Sequence, residues 1–317
     1  MSHVEAQLSP REFELSAALS AQGRSLAWWL GGLVLIAGCV FATLDAWADL
    51  LRTGLQDEES SHILLVPLVF TWIFLRRLSL LPQVKVSRQW VGTLILAVGG
   101  ALWLIGYRGQ IHTLWHLGAV LVLVGGVTSL LGPDLIVKFL PAFGALVFLV
   151  PLAGERRQQF AMPMQLLTAR ITQFVCELLG MQVERQRNVL TLNGVGVNIA
   201  EACNGMRMII TLIIVSYLYA FITPLRAYVR CLLLLASPVL AVICNVIRLV
   251  PTVWMYGHAP QATAERFHDI SAWVMLGVAF LILMAGVSIL RWLMLPVDLP
   301  DGSDPTQSPS REMVATQ

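Results

Sequence analysis

The chain has few charged residues. Asp, Glu, Lys and Arg make up 13% of its 317 residues, whereas about a quarter of an ordinary globular chain is charged. The net charge is only +2 and the basic residues are scattered, so no nucleic-acid partner is predicted. The sequence also lacks a His, Cys, Asp or Glu cluster with metal-ligand spacing and a glycine-rich phosphate loop. It therefore predicts neither a metal site nor a cofactor.

Long apolar runs fill the chain instead. Hydrophobic residues are 57% of the total and the mean hydropathy is +0.73. Crossing a bilayer takes roughly 20 apolar residues, so we predict an all-α polytopic membrane protein of about eight transmembrane helices. The N-terminus does not resemble a cleaved signal, and the first run should stay as an anchor. The predicted spans are 26–44, 61–76, 89–107, 112–131, 135–153, 205–223, 230–250 and 270–295.

Two further elements are predicted between the fifth and sixth spans. Residues 159–180 are amphipathic, with Arg170 and Glu177 inside the segment, and we interpret them as an interfacial helix. Two short apolar stretches then flank Asn193-Gly194, the dipeptide most typical of a β-hairpin turn. The sequence thus predicts a short extracytoplasmic hairpin that leads to Cys203.

Loop charges orient the chain by the positive-inside rule. The loops after the second and sixth spans are basic and are placed in the cytoplasm, whereas the loop after the first span is acidic. Both termini are then cytoplasmic. The basic residues of these two loops are Arg76, Arg77, Lys85 and Arg88, followed by Arg226 and Arg230.

The predicted organisation has five parts. They are a cytoplasmic tail (1–25), a five-helix membrane region (26–153), the extracytoplasmic helix and hairpin (154–200), a three-helix catalytic region (201–295) and a disordered cytoplasmic tail (296–317).

Cys203 stands where a polar segment becomes an apolar run, within residues 201–207, EACNGMR. A helix N-terminus carries partial positive charge, and Arg207 follows one turn later, so this thiol is predicted to ionise more readily than a free cysteine. Arg248 and His268 fall at ends of the next two runs, and the predicted topology puts them on the same outer face. Asn245 precedes Arg248 by one turn on the same helix face. This pattern predicts a cysteine-dependent membrane enzyme.

Each of these residues also has a structural explanation. A cysteine in a membrane helix is usually an apolar filler; this is our interpretation of the other four cysteines and it stays an alternative for Cys203. Arg248 is alternatively an interfacial anchor, and His268 a structural residue at the interface. An ion pair with Arg207 at headgroup level is the simpler interpretation of Glu201.

The motifs resemble the ordered signature of the exosortases, bacterial integral-membrane relatives of the archaeosortases. The signature comprises the stretch around Cys203, the segment from Asn245 to Arg248, and the later His268. Residues 61–67, SHILLVP, with the Arg76-Arg77 pair, also match the second span of that family. The resemblance covers residues from about 45 to 295. One departure is NGM at 204–206, where serine, glycine and leucine or isoleucine are usual, and it leaves the subfamily open.

The resemblance implies a sortase-like cysteine transpeptidase in the bacterial inner membrane, with its active site at the extracytoplasmic face. Its substrates would be secreted proteins that end in a PEP-CTERM sorting signal: a Pro-Glu-Pro-type motif, a transmembrane helix and a basic cluster. It is implied that Cys203 is the nucleophile, Arg248 the oxyanion donor and His268 the acid and base. The residues implied to position substrate or catalytic groups are Glu201, Asn204, Arg207 and Asn245. The acceptor stays open.

Two other functions remain compatible with the sequence. A membrane cysteine protease would use the same triad with water as the acceptor. A transporter of a lipid-linked or small solute would line its pathway with Arg248 and Asn245. Against transport, few polar residues lie inside the spans, and no pair of Gly/Pro-broken helices recurs in two halves.

Overall fold

A computed structural model describes residues 26–151, 154–199 and 205–292. Helix α1 (Leu26–Ala42) and helix α2 (Leu44–Gln56) meet at a bend of 65°. Thr43 occupies the bend, where its hydroxyl donates to the Cys39 carbonyl and accepts a hydrogen bond from the Trp47 indole. These side-chain bonds replace part of the backbone ladder that the bend interrupts.

Helix α3 (Val66–Arg76) continues a 3₁₀ segment, Glu58–Leu65, and together they form an apolar element long enough to cross a membrane. Pro67 lies in the first turn of α3, where the missing N–H removes no intrahelical bond. A second 3₁₀ segment, Leu78–Gln83, leads away from Arg77.

Helices α4 (Trp90–Arg108) and α5 (His112–Leu131) form an antiparallel hairpin. Glycines recur at intervals of seven on α4, at Gly92, Gly99 and Gly106, and all three are buried. A Cβ atom added at Gly99 would lie 2.7 Å from the Val122 backbone nitrogen, so the two backbones are in contact. Small residues at such an interface allow membrane helices to pack closely.

The predicted span 135–153 is not a continuous helix. It is divided into α6 (Asp134–Lys138), α7 (Leu140–Ala145) and a 3₁₀ segment, Leu146–Leu149. Pro141 lies in the first turn of α7 and has no N–H for a continuous ladder. The fully buried Phe139, at the break, stacks on Phe74 of α3 with 4.5 Å between ring centroids. Packing against α3 therefore holds the broken segment.

Helix α8 (Gly154–Leu178) precedes a three-stranded antiparallel sheet of β1 (Glu184–Gln186), β2 (Val189–Leu192) and β3 (Val195–Asn198). Leu192 pairs with Val195 across the turn. Asn193 and Gly194 both have positive φ values, 52° and 79°, as a two-residue hairpin turn requires. Strands β2 and β3 thus form a hairpin around the dipeptide identified in the sequence.

The C-terminal part consists of α9 (Gly205–Ile222), α10 (Ala227–His258) and α11 (Gln261–Trp292). Ala259 and Pro260 alone connect α10 to α11, so these two helices form a long hairpin. The sheet packs on the C-terminal part of α10. Buried residues of this contact include Leu190, Leu192, Val197, Ile199, Leu249 and Val253.

The eight predicted spans are not confirmed. Among the described residues, five helices are long and apolar enough to cross a membrane, or six if α1 and α2 count as one bent span. The apolar parts of α7 and α9 are too short to qualify. The five are Glu59–Arg76, Trp90–Arg108, His112–Leu131, Ala227–His258 and Gln261–Ile289.

Candidate active site

Helix α10 carries two buried polar side chains one turn apart. Arg248 is only 3% exposed and Asn245 only 5%. A charged group inside an apolar helix is costly unless the protein surrounds it with compensating groups or an aqueous cavity. The adjacent turn is fixed by Thr252, whose hydroxyl donates to the Arg248 carbonyl at 2.8 Å. The position of Arg248 is thus set by the core of the protein.

His268 lies on α11, two turns after this helix begins. Its side chain is 15% exposed, and its Nδ1 lies 3.0 Å from Oδ1 of the exposed Asp269. When Nδ1 carries the proton, it donates to the Asp269 carboxylate and Nε2 presents the lone pair that a general base needs.

Arg248 and His268 line the same cavity, which has a volume of about 60 Å³. This space exceeds what one water molecule needs, and it lies in the wedge between α9 and α11, with α10 as the third wall. The tertiary structure therefore brings together two residues that are 20 positions apart in the chain. The other lining residues are Met208, Thr211, Ala272, Trp273 and Leu276.

An apolar cluster closes the wedge on the α9–α10 side. Met208 belongs to this cluster and also lines the cavity. The fully buried Leu212 and Cys244 are in the same cluster. On the α11 side, Trp273 is 75% exposed while it lines the cavity. The cavity thus has an apolar base and an aromatic residue at its edge.

The predicted nucleophile lies outside the described residues, as do Glu201 and Asn204. Arg207 belongs to the first turn of α9. Described residues border this stretch on both sides. Ile199 is fully buried in the same cluster as Leu249, and Met208 lines the cavity with Arg248.

None of the other four cysteines lines this cavity. Cys39, Cys176 and Cys244 are buried, and Cys231 is exposed near the start of α10. Burial raises the pKa of the Cys176 thiol to about 11, with Glu177 adding to the effect, so this group is not ionised at neutral pH. Cys231 precedes Arg248 by 17 residues, which is roughly 26 Å along a helix. Cys231 is therefore remote from the cavity.

Two boundaries in the sequence prediction were wrong. Arg248 was expected to end a helix at residue 250, but α10 continues to His258. His268 was expected to precede a helix at residue 270, but α11 begins at Gln261. The sheet covers the extension of α10: the Asn193 side-chain amide donates to the Gly257 carbonyl at 3.1 Å. Packing against the sheet therefore accompanies the extension of α10 beyond residue 250.

Sequence reasoning gave no role to three residues at this site. Asp269 orients His268, while Thr211 and Trp273 line the cavity. Thr211 could have been identified from the sequence, because it lies one turn after Arg207 on the same face of the predicted helix. Within the described ranges, no group of three or more His, Cys, Asp or Glu residues could hold a metal ion.

The comparison with protein families gives one match. A family described as transmembrane exosortase matches residues 47–285, which is more than half of the chain and includes α9, α10 and His268. No curated protein and no solved structure matches the chain.

Proposed function

Because the chain belongs to the transmembrane exosortase family, we propose that it is a membrane cysteine transpeptidase. It cleaves the C-terminal sorting signal of secreted proteins and transfers them to an acceptor. The observation that supports this most strongly is the common cavity of Arg248 and His268. Both residues were proposed from the sequence as partners of a cysteine, and the cavity is lined from the first turns of α9, which follow Cys203 directly.

Covalent connectivity limits how far Cys203 can be from this cavity. Consecutive Cα atoms are 3.8 Å apart, and Cys203 precedes Gly205 by only two positions in the chain. Gly205 begins α9, and Met208, one turn later, lines the cavity. A nucleophile at position 203 is therefore compatible with the site.

The proposed reaction has two steps. His268 first takes the proton of the Cys203 thiol, and the thiolate attacks a backbone carbonyl carbon. The C–N bond then breaks, and the same proton passes from His268 to the leaving amine of the C-terminal helix. The product is a thioester between the enzyme and the secreted protein. His268 then removes a proton from the acceptor, whose attack on the thioester releases the thiolate. No redox reagent is needed in either step.

Arg248 would stabilise the oxyanion of both tetrahedral intermediates. Removal of one oxyanion donor typically raises the barrier by about 2.7–4 kcal/mol. Asn245, buried one turn away, would help to position Arg248 or substrate. We assign the same positioning role to Glu201, Asn204 and Arg207.

We place the site at the extracytoplasmic face of the bacterial inner membrane, with both termini in the cytoplasm. Arg230 and Arg248 lie on one continuous helix, separated by roughly 27 Å at 1.5 Å per residue, close to the thickness of the hydrocarbon core. If the basic start of α10 is cytoplasmic, Arg248 reaches the outer side. There it would meet substrates that have already been translocated.

The membrane orientation is tested by labelling with an impermeant maleimide. Single cysteines at positions 59 and 260, in a background without native cysteines, should react in intact cells. A cysteine at position 85 should react only after the membrane is opened. Labelling of position 85 in intact cells would invert the proposed orientation.

The reaction is tested by expressing the chain with a tagged substrate that ends in a Pro-Glu-Pro-type motif, a transmembrane helix and a basic cluster. Wild type should produce a new C-terminus, and Cys203→Ala and Cys203→Ser should not, at equal membrane levels. Cys231→Ser and Cys244→Ser are matched controls that should process normally. Processing by Cys203→Ala would remove this residue from the mechanism. The mass of the product separates a free carboxylate, made by hydrolysis, from attachment to an acceptor.

A further inference from the structure

Strand β3 has an open edge. The order of the sheet is β1-β2-β3, so no strand within residues 26–151, 154–199 and 205–292 pairs with the far side of β3. Val195 and Gly196 are both exposed. Since glycine has no side chain, the exposed surface of Gly196 is that of its backbone. The edge of β3 therefore presents main-chain groups, as a site for strand addition requires.

The hydrogen-bond register shows which groups of β3 face this edge. Leu192 and Val195 close the two-residue hairpin, and antiparallel partners alternate between hydrogen-bonded and non-hydrogen-bonded pairs. Gly196, the next residue, therefore belongs to a pair of the second kind. The ladder continues in the same phase, since the Ile199 N–H donates to the Asn188 carbonyl at 2.8 Å. Gly196 thus directs both its N–H and its carbonyl away from β2, toward the open edge.

Strand β3 is also well placed relative to the candidate active site. The turn before it is hydrogen-bonded to the Gly257 carbonyl of α10. The apolar cluster beneath the sheet includes Leu249, the residue after Arg248. After β3 ends at Asn198, only four residues precede Cys203. A peptide added at this edge would therefore be supported by the helix that carries Arg248.

We propose that the recognition motif of the substrate binds along β3 as a fourth, parallel strand, hydrogen-bonded through its main chain to Gly196. This inference rests on the proposed function, in which the motif precedes the helix that is released. A parallel strand carries the substrate chain from the motif in the direction of Cys203. An antiparallel strand would carry it away.

A Pro-Glu-Pro-type motif is suited to this position. Successive residues of a strand direct their N–H groups to opposite sides, so two prolines separated by one residue place both nitrogens on the same side. Proline is tolerated on an edge strand when that side faces solvent. The residue between the prolines then directs its N–H and carbonyl toward β3, where the N–H donates to the Gly196 carbonyl.

The enzyme side of this contact is tested by Gly196→Pro in the full chain. The change removes the outward N–H and no hydrogen bond of the hairpin, so the unfolding temperature should stay at the wild-type value. Processing should fall about tenfold or more at limiting substrate and recover at saturating substrate, because binding is weakened and the chemical step is not. Val195→Pro, for comparison, removes a hydrogen bond within the hairpin and should lower the unfolding temperature.

The substrate side is tested on wild type with a short synthetic peptide that contains the Pro-Glu-Pro motif and competes with the tagged substrate. N-methylation of the central residue removes the N–H that donates to Gly196 and should weaken inhibition about tenfold or more. N-methylalanine in place of either proline keeps a nitrogen without hydrogen and should inhibit like the parent peptide. This competition decides even if a variant of the enzyme folds poorly.

Two results would overturn the inference and leave the proposed function intact. They are wild-type processing by Gly196→Pro at limiting substrate, and equal inhibition by the peptide that is methylated at its central residue. Disulfide-linked dimers of Gly196→Cys that still process substrate would assign the edge to a second copy of the chain instead. By contrast, a wild-type protein that cleaves no tripartite substrate would contradict the proposed function itself, and this inference with it.

Discussion

The α4–α5 hairpin and the α9–α11 group are built from similarly apolar helices, yet they pack in opposite ways. In the hairpin, each of Gly92, Gly99, Gly106, Gly118 and Gly125 faces the backbone of the partner helix, with no space for a Cβ atom. The seven-residue spacing keeps these glycines on one face over the whole helix length. The two helices therefore meet without an internal cavity along this line.

The α9–α11 group instead encloses polar side chains and empty space. Arg248 is buried in α10, His268 faces it from α11, and a cavity lies between them. The larger side chains Met208 and Trp273 line this space. The two regions therefore differ in the size of the residues at the helix interface, although both are strongly apolar.

The largest effect, a loss of activity, is expected in the α9–α11 group when Arg248 is replaced by a residue of the same charge. If the Arg248 guanidinium holds the oxyanion through two parallel N–H groups, Arg248→Lys loses this geometry and activity should fall at least about 100-fold, almost as far as in Arg248→Ala. Asn245→Ala should reduce cleavage less, because it only misplaces the arginine or substrate. Substrate processing is compared at matched membrane levels.

A fully active lysine variant would contradict the oxyanion role. The alternative from the sequence, an interfacial anchor, would then be favoured, since lysine can serve as an anchor nearly as well. The site would be reduced to Cys203 and His268 as a thiol and base pair.

A second, smaller effect, on stability, is expected in the α4–α5 hairpin. Gly99→Ala places a methyl group against the Val122 backbone, so the helices must separate, at a cost of about 1–3 kcal/mol in stability. Gly100→Ala is the matched control, because a Cβ atom there would meet nothing within 4 Å and alanine favours a helix by up to about 1 kcal/mol. Thermal unfolding in detergent should therefore move in opposite directions for the two variants. Equal destabilisation would mean that backbone contact does not stabilise the hairpin.

The sequence predicted the bounds of the two helices of the α4–α5 hairpin well. The spans 89–107 and 112–131 correspond closely to α4 at Trp90–Arg108 and α5 at His112–Leu131, because polar residues bound these apolar runs on both sides. It did not predict that the hairpin packs through glycine, although the seven-residue spacing was visible. The span 135–153 was wrong because its hydropathy is high while Pro141 and the packing of Phe139 divide it.

The candidate site was predicted in part. The order of the apolar runs was sufficient to bring Arg248 and His268 together, and the cavity contains both. The contact of Asp269 with His268 depends on side-chain geometry, which a periodicity argument does not provide. Cys203 and its neighbours lie outside the described residues, so their roles stay predictions.

The smallest effect is expected at Asp134, next to the α4–α5 hairpin. Its carboxylate accepts a hydrogen bond from the Lys85 backbone N–H, before α4, and pairs with Lys138, after α5. The Lys85 backbone N–H and then the Lys138 ammonium hold the pKa of Asp134 below its usual value. Because the pKa is lowered, the ionised carboxylate stabilises the folded state at pH values above the ordinary pKa of an aspartate, near 3.9. This stabilisation is lost as the pH falls through the lower pKa of the folded state. Because the Asp134 side chain is partly exposed, at 29%, solvent screens the interaction and Asp134→Asn should cost less than about 1 kcal/mol. Thermal unfolding from pH 7 to pH 3 should show this loss narrowing toward zero at the acidic end. A loss that stays constant down to pH 3 would mean that the carboxylate charge does not stabilise this end of the hairpin.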